Sequence, residues 1–358
     1  MTAKPLNISG DNRSIGCLVK TPFGNDWGAF PAIQFLMDLS IIFVNWNSVG
    51  FLRPCLKSIY ARPPAFSHEI IVVDNDSPNK DAHALKQEFP SARVIESKAN
   101  LGFAGANNLG YRSSSGEFLL FLNPDTEVLH DSIETLMETV KAIPDAGIVG
   151  CRLLNTDGSI QTSCIQTFPT ILNQVLDIEA LQLRWPACPL WNIAPLFSKS
   201  TSPASVEVIS GACMMVRRSV FEKAGLFSED YFMYAEDLDL CHKVRDLGLK
   251  NYHVGSAEVL HHGGKSSIQN PVSQWSTTMK MNSVEKFCAK TRGRLYASLY
   301  RASIGATALV RLLVIGLLRP LRSLGINTFS AGNAWAKWCA ILRWAMRRDM
   351  LQTTTTSS

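Results

Sequence analysis

Six short segments carry oxygen donors, small residues and imidazoles at spacings that could do chemistry. Asn45-Trp46-Asn47 closes one apolar run, and Asp74-Asn75-Asp76-Ser77 closes another. A carboxylate at such an end can accept from an imide N–H or a ribose hydroxyl. Asn45, Asn47, Asp74 and Asp76 are therefore candidates for holding a nucleoside, although Asn and Asp also serve as ordinary turn residues. In Asn100-Leu101-Gly102-Phe103-Ala104-Gly105-Ala106-Asn107-Asn108, small residues at a loop-to-helix junction let backbone N–H groups approach a phosphate. This marks Asn100, Gly102, Gly105 and Asn107; a tight helix entry needing glycine is the structural alternative. The apolar run Leu119 to Leu122 delivers Asn123-Pro124-Asp125 at its tip. Asp125 there can hold Mg²⁺ or Mn²⁺, hard cations that keep positions open for substrate phosphates. Such an ion neutralises charge developing on a diphosphate leaving group. Tyr234-Ala235-Glu236-Asp237-Leu238-Asp239 places three acids in the first turn of a helix. They either complement the helix dipole or supply a general base for an acceptor hydroxyl. His261-His262, just before Gly263, offers a neutral imidazole ligand or a structural histidine pair.

The elements that must position these residues form a regular alternation. Short apolar runs predict strands over 39–44, 69–73, 92–96, 118–122 and 147–150. Helices are expected at 48–60, 81–89, 103–112 and 131–142. Continuous apolar strands alternating with helices predict an α/β fold, a doubly wound and mostly parallel sheet covered on both faces. Ligands then gather at the carboxyl ends of the strands, where the polar residues of interest lie. From Cys151 to Ser205 the alternation lapses into an irregular excursion. Regular structure returns over 206–216, followed by helices near 219–225 and 236–247 and strands near 250–254. Beyond Gly264 the chain reads as helical, basic and rich in Trp.

Composition narrows the classes. With 46% apolar and 18% charged residues in 358, the chain buries a sizeable core and is no disordered tract. Its nine cysteines form no C-x-x-C pair, against zinc sites and disulfide frameworks and in favour of a reducing cytosol. Residues 1–36 lack periodicity and no secretory signal is evident; the expected domain start is Met37, and a chain beginning there should keep its activity. The absence of a G-x-G-x-x-G after the first strand disfavours a nucleotide-dependent oxidoreductase.

The order and spacing of the six segments resemble glycosyltransferase family 2, inverting enzymes with the GT-A fold. The segments VNWN, VVDNDS, NLGFAGANN and LNPDT match its donor half. Ser210 to Arg218, Phe232 to Leu240 and His261 look like the branch containing bacterial rhamnosyltransferases. The likeness covers residues 38–266 and divides them into a donor half, 37–150, and an acceptor half, 151–266. It implies that Asp74 reads base or ribose, that Asp125 binds the metal with His261, and that Asp237 is the base with Glu236 in reserve. Asn123 stands where D-x-D has an acid. The implied donor is dTDP-rhamnose and the implied acceptor a cell-surface or lipid-linked glycan. Galactofuranosyl, glucosyl or GlcNAc donors are the alternatives, and a non-catalytic nucleotide-sugar binding relative is a further one.

From Lys286 onward twelve Lys/Arg face the single acid Asp349, a net of +11 within a chain of net +5. The charges alternate with Trp and aliphatic residues at helical spacing, which fits an anionic membrane surface better than nucleic acid. The apolar run 302–318 is short of the roughly 20 residues that a spanning helix needs. Arg294, Arg301, Arg311 and Arg319 share one helical side, and Pro320 should end the helix. In 335–348, Lys337, Arg343, Arg347 and Arg348 oppose Trp335, Trp338 and Leu342. The expectation is a helical region, 267–350, lying peripherally on the cytoplasmic face of the membrane, with 351–358 a frayed tail.

Overall fold

The computed structural model describes residues 37–80, 82–176, 179–186, 188–191, 193–198, 200–263, 274–318 and 331–347. The expected extension before Met37, Gly264, Lys265, Ser266, Arg319, Pro320, Arg348 and the expected tail lie outside the described residues.

The first half follows the alternation read from the sequence. It comprises β1 (Met37–Asn45), α1 (Val49–Ala61), β2 (His68–Asp74), α2 (Ala82–Glu88), β3 (Ala92–Glu96), α3 (Gly102–Arg112) and β4 (Gly116–Leu122). Then come β5 (Thr126–Val128), α4 (Ser132–Ala142) and β6 (Ala146–Leu154). β1, β2 and β4 are buried along nearly their whole length, so both faces of the sheet must be covered. The irregular stretch holds β7 (Ile165–Gln166) and three short helices, α5 (Ile171–Val175), α6 (Glu179–Arg184) and α7 (Ala194–Phe197). The regular structure expected over 206–216 is a set of short strands, β8 (Ala204–Val206), β9 (Val208–Ile209) and β10 (Cys213–Arg217). A turn at Ser210-Gly211-Ala212 separates β9 from β10. α8 (Arg218–Lys223), α9 (Glu236–Asp246) and β11 (Lys250–His261) follow, then α10 (Gln274–Arg292), α11 (Arg294–Leu318) and α12 (Ala331–Ala345).

Among the described residues the main sheet has nine strands, ordered β3-β2-β1-β4-β10-β6-β11-β5, with β8 also on β11; β7 and β9 pair separately. Pairing is parallel through β3-β2-β1-β4 and between β6 and β11. β10 runs antiparallel to β4 and to β6. It is reached from β9 by a tight turn instead of the helical crossover a parallel neighbour requires. β5 and the far end of β11 carry the sheet past the point where the sequence pattern stops. Val259, Leu260 and His261 of β11 pair with Val128, Glu127 and Thr126 of β5.

The C-terminal helices form a second core of Val284, Cys288, Ala297, Tyr300, Ile304, Ala308, Ile341 and Trp344. α10 joins it to the main core, because Phe287 stacks on Phe168 at 6.0 Å. Two features of α11 differ from expectation. It is 25 residues long, about 38 Å at 1.5 Å per residue, since Tyr296 and Tyr300 extend it before the aliphatic run. By length and hydropathy, residues Arg294–Leu317 could cross a bilayer. The expected cationic stripe also turns inward at its centre. Arg301 pairs with Glu285 of α10 and lies 4.2 Å over the Trp344 ring. Arg311 lies 4.4 Å over Trp338 and donates to the Val175 carbonyl at 3.4 Å. Carboxylate and indole partners give these guanidiniums more than water would. The outward face is instead aliphatic, with Leu295, Leu299, Leu309, Val310, Leu313 and Leu317 all exposed. Lys337 and Arg343 of α12 are exposed as expected.

Candidate active site

A cavity of about 1310 Å³ opens at the carboxyl ends of β1, β2 and β4. Asn100, Gly102, Asn123, Glu236, Asp237 and His261 line it, so six of the residues singled out in the sequence converge on one space. Asn45, Asn47, Asp74, Asp76, Gly105, Asn107 and Asp125 do not line it, and the reasons are local.

Asn45 and Asp74 are adjacent partners in the β1–β2 register and satisfy one another. The Asn45 amide donates to Asp74 Oδ1 at 2.8 Å, and its carbonyl accepts from Ser48 N–H at 3.2 Å and Ser48 O–H at 2.9 Å. Ser77 O–H donates to the same Asp74 oxygen at 2.5 Å. Asn45, wholly buried, therefore fixes Asp74 and does not itself reach the cavity. Asn47 and Asp76 adopt left-handed φ of 51° and 59°, consistent with their turn chemistry. Asn107 is buried on α3, donating back to the Phe103 carbonyl at 3.0 Å. Asn75 was not singled out and does more: it accepts from Leu101 N–H at 2.8 Å and donates to Asn100 Oδ1 at 3.0 Å, shaping the 100–102 turn.

Gly102 explains how the two halves of the cavity are joined. Its φ is +70°, and a Cβ there would stand 2.2 Å from the Phe232 carbonyl oxygen. The next amide, Phe103 N–H, donates to that oxygen at 2.8 Å. The segment 232–235 is thus clasped to the start of α3. Its last residues, Tyr234 and Ala235, have φ of 68° and 65°. Consecutive left-handed residues other than glycine or asparagine are strained, and such strain gathers at functional sites.

These two residues launch α9, and with it the acids. Asp237 is held by Gly211 N–H at 3.1 Å and by Leu238 N–H at 2.8 Å. Burial raises its carboxyl above the ordinary aspartate range, against the pull of these amides and the positive charge of Lys280. Burial also pushes Glu236 well up, and the neighbouring Asp237 charge adds to it. Glu236 Oε2 is buried with no hydrogen-bond partner. Of the pair, Asp237 has the environment of a carboxylate and Glu236 that of a neutral acid. The third acid, Asp239, is a structural ion: Lys290 reaches it at 2.7 Å and Lys243 at 3.2 Å.

β5 and β11 build the opposite wall. Their pairing brings His261 Nε2 to 3.4 Å from Asp125 Oδ1. Gln161 sets the imidazole tautomer. Its amide nitrogen donates to Asn155 Oδ1 at 3.0 Å and to the His261 carbonyl at 3.3 Å. Its oxygen therefore accepts from His261 Nδ1 at 2.6 Å. Nδ1 donates to Gln161, which leaves Nε2 directed at the Asp125 carboxylate. A carboxylate oxygen with an oriented imidazole nitrogen fits Mn²⁺ or Mg²⁺, the residual positions being left to substrate oxygens. Among the described residues no group of three or more His, Cys, Asp or Glu could hold a metal by itself.

A mixed sheet with its strand ends opening on this cavity defines the GT-A fold. A superposable chain is the mannosyltransferase PcManGT of Pyrobaculum calidifontis, solved with GDP-Man and Mn²⁺: TM-score 0.55, 16% identity, covering 92% of this chain and 91% of that one. Residues 40–225 match the glycosyl transferase family 2 model, and the chain belongs to that family. It is a glycosyltransferase. It is 32% identical over 216 residues to the N-acetylglucosaminyl-diphospho-decaprenol L-rhamnosyltransferase of Mycobacterium tuberculosis, a match spanning 57% of this chain and 69% of that enzyme. It is 26% identical over 246 residues to the rhamnosyltransferase WbbL of Escherichia coli K12, covering 66% of this chain and 88% of that one.

Proposed function

We propose that this enzyme transfers L-rhamnose from dTDP-rhamnose to a lipid-linked glycan in a single inverting displacement. The observation that carries this is the meeting of Asp237, His261 and the 100–102 turn in one cavity. The relatives' names point to the sugar. Asp237 takes the proton of the acceptor hydroxyl, whose oxygen attacks the anomeric carbon as the bond to the nucleotide diphosphate breaks. No protein nucleophile is needed. Asp74, braced by Asn45 and Ser77, stands behind the nucleoside end, and Asn100 and Gly102 border the phosphates. Asp125 and His261 would hold a divalent cation, which when bound offsets charge on the departing diphosphate. Glu236, kept neutral by burial, preserves the shape of the site beside the base.

The C-terminal helices are proposed to seat the enzyme on an anionic membrane surface, with the aliphatic side of α11 toward lipid. α11 packs its other side on α5, α10 and α12, which favours lying in the interface over spanning. Carbonate or high salt should release the protein from anionic vesicles; retention until detergent is added would refute peripheral attachment. The donor is tested by nucleotide release from a panel of nucleotide sugars with a GlcNAc-diphospho-lipid acceptor. Release from dTDP-rhamnose well above the others is expected, and preference for a UDP- or GDP-sugar would overturn the assignment.

A further inference from the structure

The cavity does not stop at Asp237. Three cations from the three C-terminal helices line it as well: Lys280 of α10, Arg311 of α11 and Lys337 of α12. The acids among its lining residues are Glu236 and Asp237. Lys280 lines the same cavity as Asp237, and its charge draws that carboxyl downward. Arg311 lies 4.4 Å and Lys337 5.7 Å from the centre of one ring, that of Trp338. Both side chains thus reach the cavity lining beside the same indole, close enough together for one phosphate group to meet both. On the outer side of the same turn of α11, Val310 and Leu313 are each 58% exposed. One bundle thus offers a base, then cations, then an aliphatic surface.

We propose that Arg311 and Lys337, assisted by Lys280, bind the diphosphate joining the acceptor sugar to its lipid. The C-terminal helices then choose the acceptor as well as carrying the enzyme to the membrane. This rests on the reading of the acceptor as a lipid-linked glycan. The donor's diphosphate leaves from the other wall, at Asn123 and His261, so the two anions have separate partners.

The test compares two acceptors with dTDP-rhamnose as donor: GlcNAc-diphosphate on a short alkyl chain, and the uncharged alkyl glycoside of GlcNAc. The wild-type enzyme should prefer the first. In Lys337→Gln, and more so in Arg311→Gln combined with Lys337→Gln, the ratio of kcat/KM for the charged over the uncharged acceptor should fall by about 10- to 100-fold. The donor KM should hold. Arg311→Lys, which keeps the charge, should restore much of the ratio. Lys337 is exposed, so its variant should fold even if changes at Arg311 loosen the bundle. An unchanged ratio, or a rise in donor KM instead, overturns the proposal. A wild-type enzyme that rhamnosylates both acceptors equally well refutes this inference alone. No transfer from any nucleotide sugar to either acceptor refutes the functional reading beneath it.

Discussion

Gly102→Ala should cripple turnover while leaving the protein folded. The added Cβ would lie 2.2 Å from the Phe232 carbonyl oxygen, whereas real Cβ contacts essentially never fall below 3.0 Å, so the carbonyl must retreat by about 0.8 Å. A left-handed alanine costs about 1–2 kcal/mol relative to glycine. Weakening the Phe103 N–H bond to Phe232 adds about 1 kcal/mol. The sum, about 2–3 kcal/mol, is tolerable against a typical domain stability of about 5–15 kcal/mol. Catalysis has less margin. The displaced carbonyl is four residues before Glu236 and five before Asp237, connected through the strained pair Tyr234-Ala235. A misplacement of about 1 Å can lower a rate by about 100-fold. The assay is steady-state nucleotide release, with a thermal melt and donor binding measured on the same preparation. A lowered melting temperature with an undiminished kcat would refute the idea that this clasp positions the acids. Wild-type values in both would refute the contact itself.

Asp237→Asn should lower kcat by about 10²- to 10⁴-fold with donor binding intact, while Glu236→Gln, mimicking a neutral acid, should stay active; the reverse pattern in kcat would exchange the two roles. Because burial raises Asp237 and the base must be ionised, the acid limb of the kcat–pH profile should fall at a pH above the usual aspartate value of about 3.9, and a limb at or below that value would contradict it. Glu236 is raised in the folded state, so its contribution is complete below its unfolded pKa of about 4.3 and is lost as pH rises. Glu236→Gln should therefore melt progressively higher than wild type as pH increases, and equal melting temperatures at pH 5 and pH 8 would count against a buried neutral acid. Asp125→Ala should abolish Mn²⁺ binding by calorimetry and most turnover while far-ultraviolet circular dichroism is unchanged; full turnover in excess chelator would defeat the metal assignment.

The strands bearing the candidate residues were legible because β1, β2 and β4 are apolar on both faces and end abruptly in Asn and Asp. The far wall was harder to read. β5 is three residues after an Asn-Pro-Asp turn, too short to have a period of its own. β11 looks finished at Val254 because Gly255 and Ser256 interrupt it, at a register shift between Val254 and Glu258. Beyond that irregularity the strand resumes and carries His261 to Asp125. Gln161 and Lys280 gave no signal, since each matters through a partner far away in the chain. Asn45 and Asp74 show the opposite limit. Their residue types suggested ligand contacts, yet a sequence cannot tell whether two polar residues face a substrate or one another.

The ion pair between Asp239 and Lys290 bears on how such enzymes can be recombined. Asp239 is 2% exposed, and its charge is matched from α10 as well as from its own helix. Ser283 of α10 also donates to the carbonyl of Met233, at 2.9 Å, within the strained segment ahead of the acids. A graft that exchanged the helices after residue 263 for those of a relative would strand a buried carboxylate and unpin the stretch that aims Asp237. A transplant of the C-terminal helices between members of the family must therefore carry α9 through α12 together, with the seam drawn ahead of Phe232.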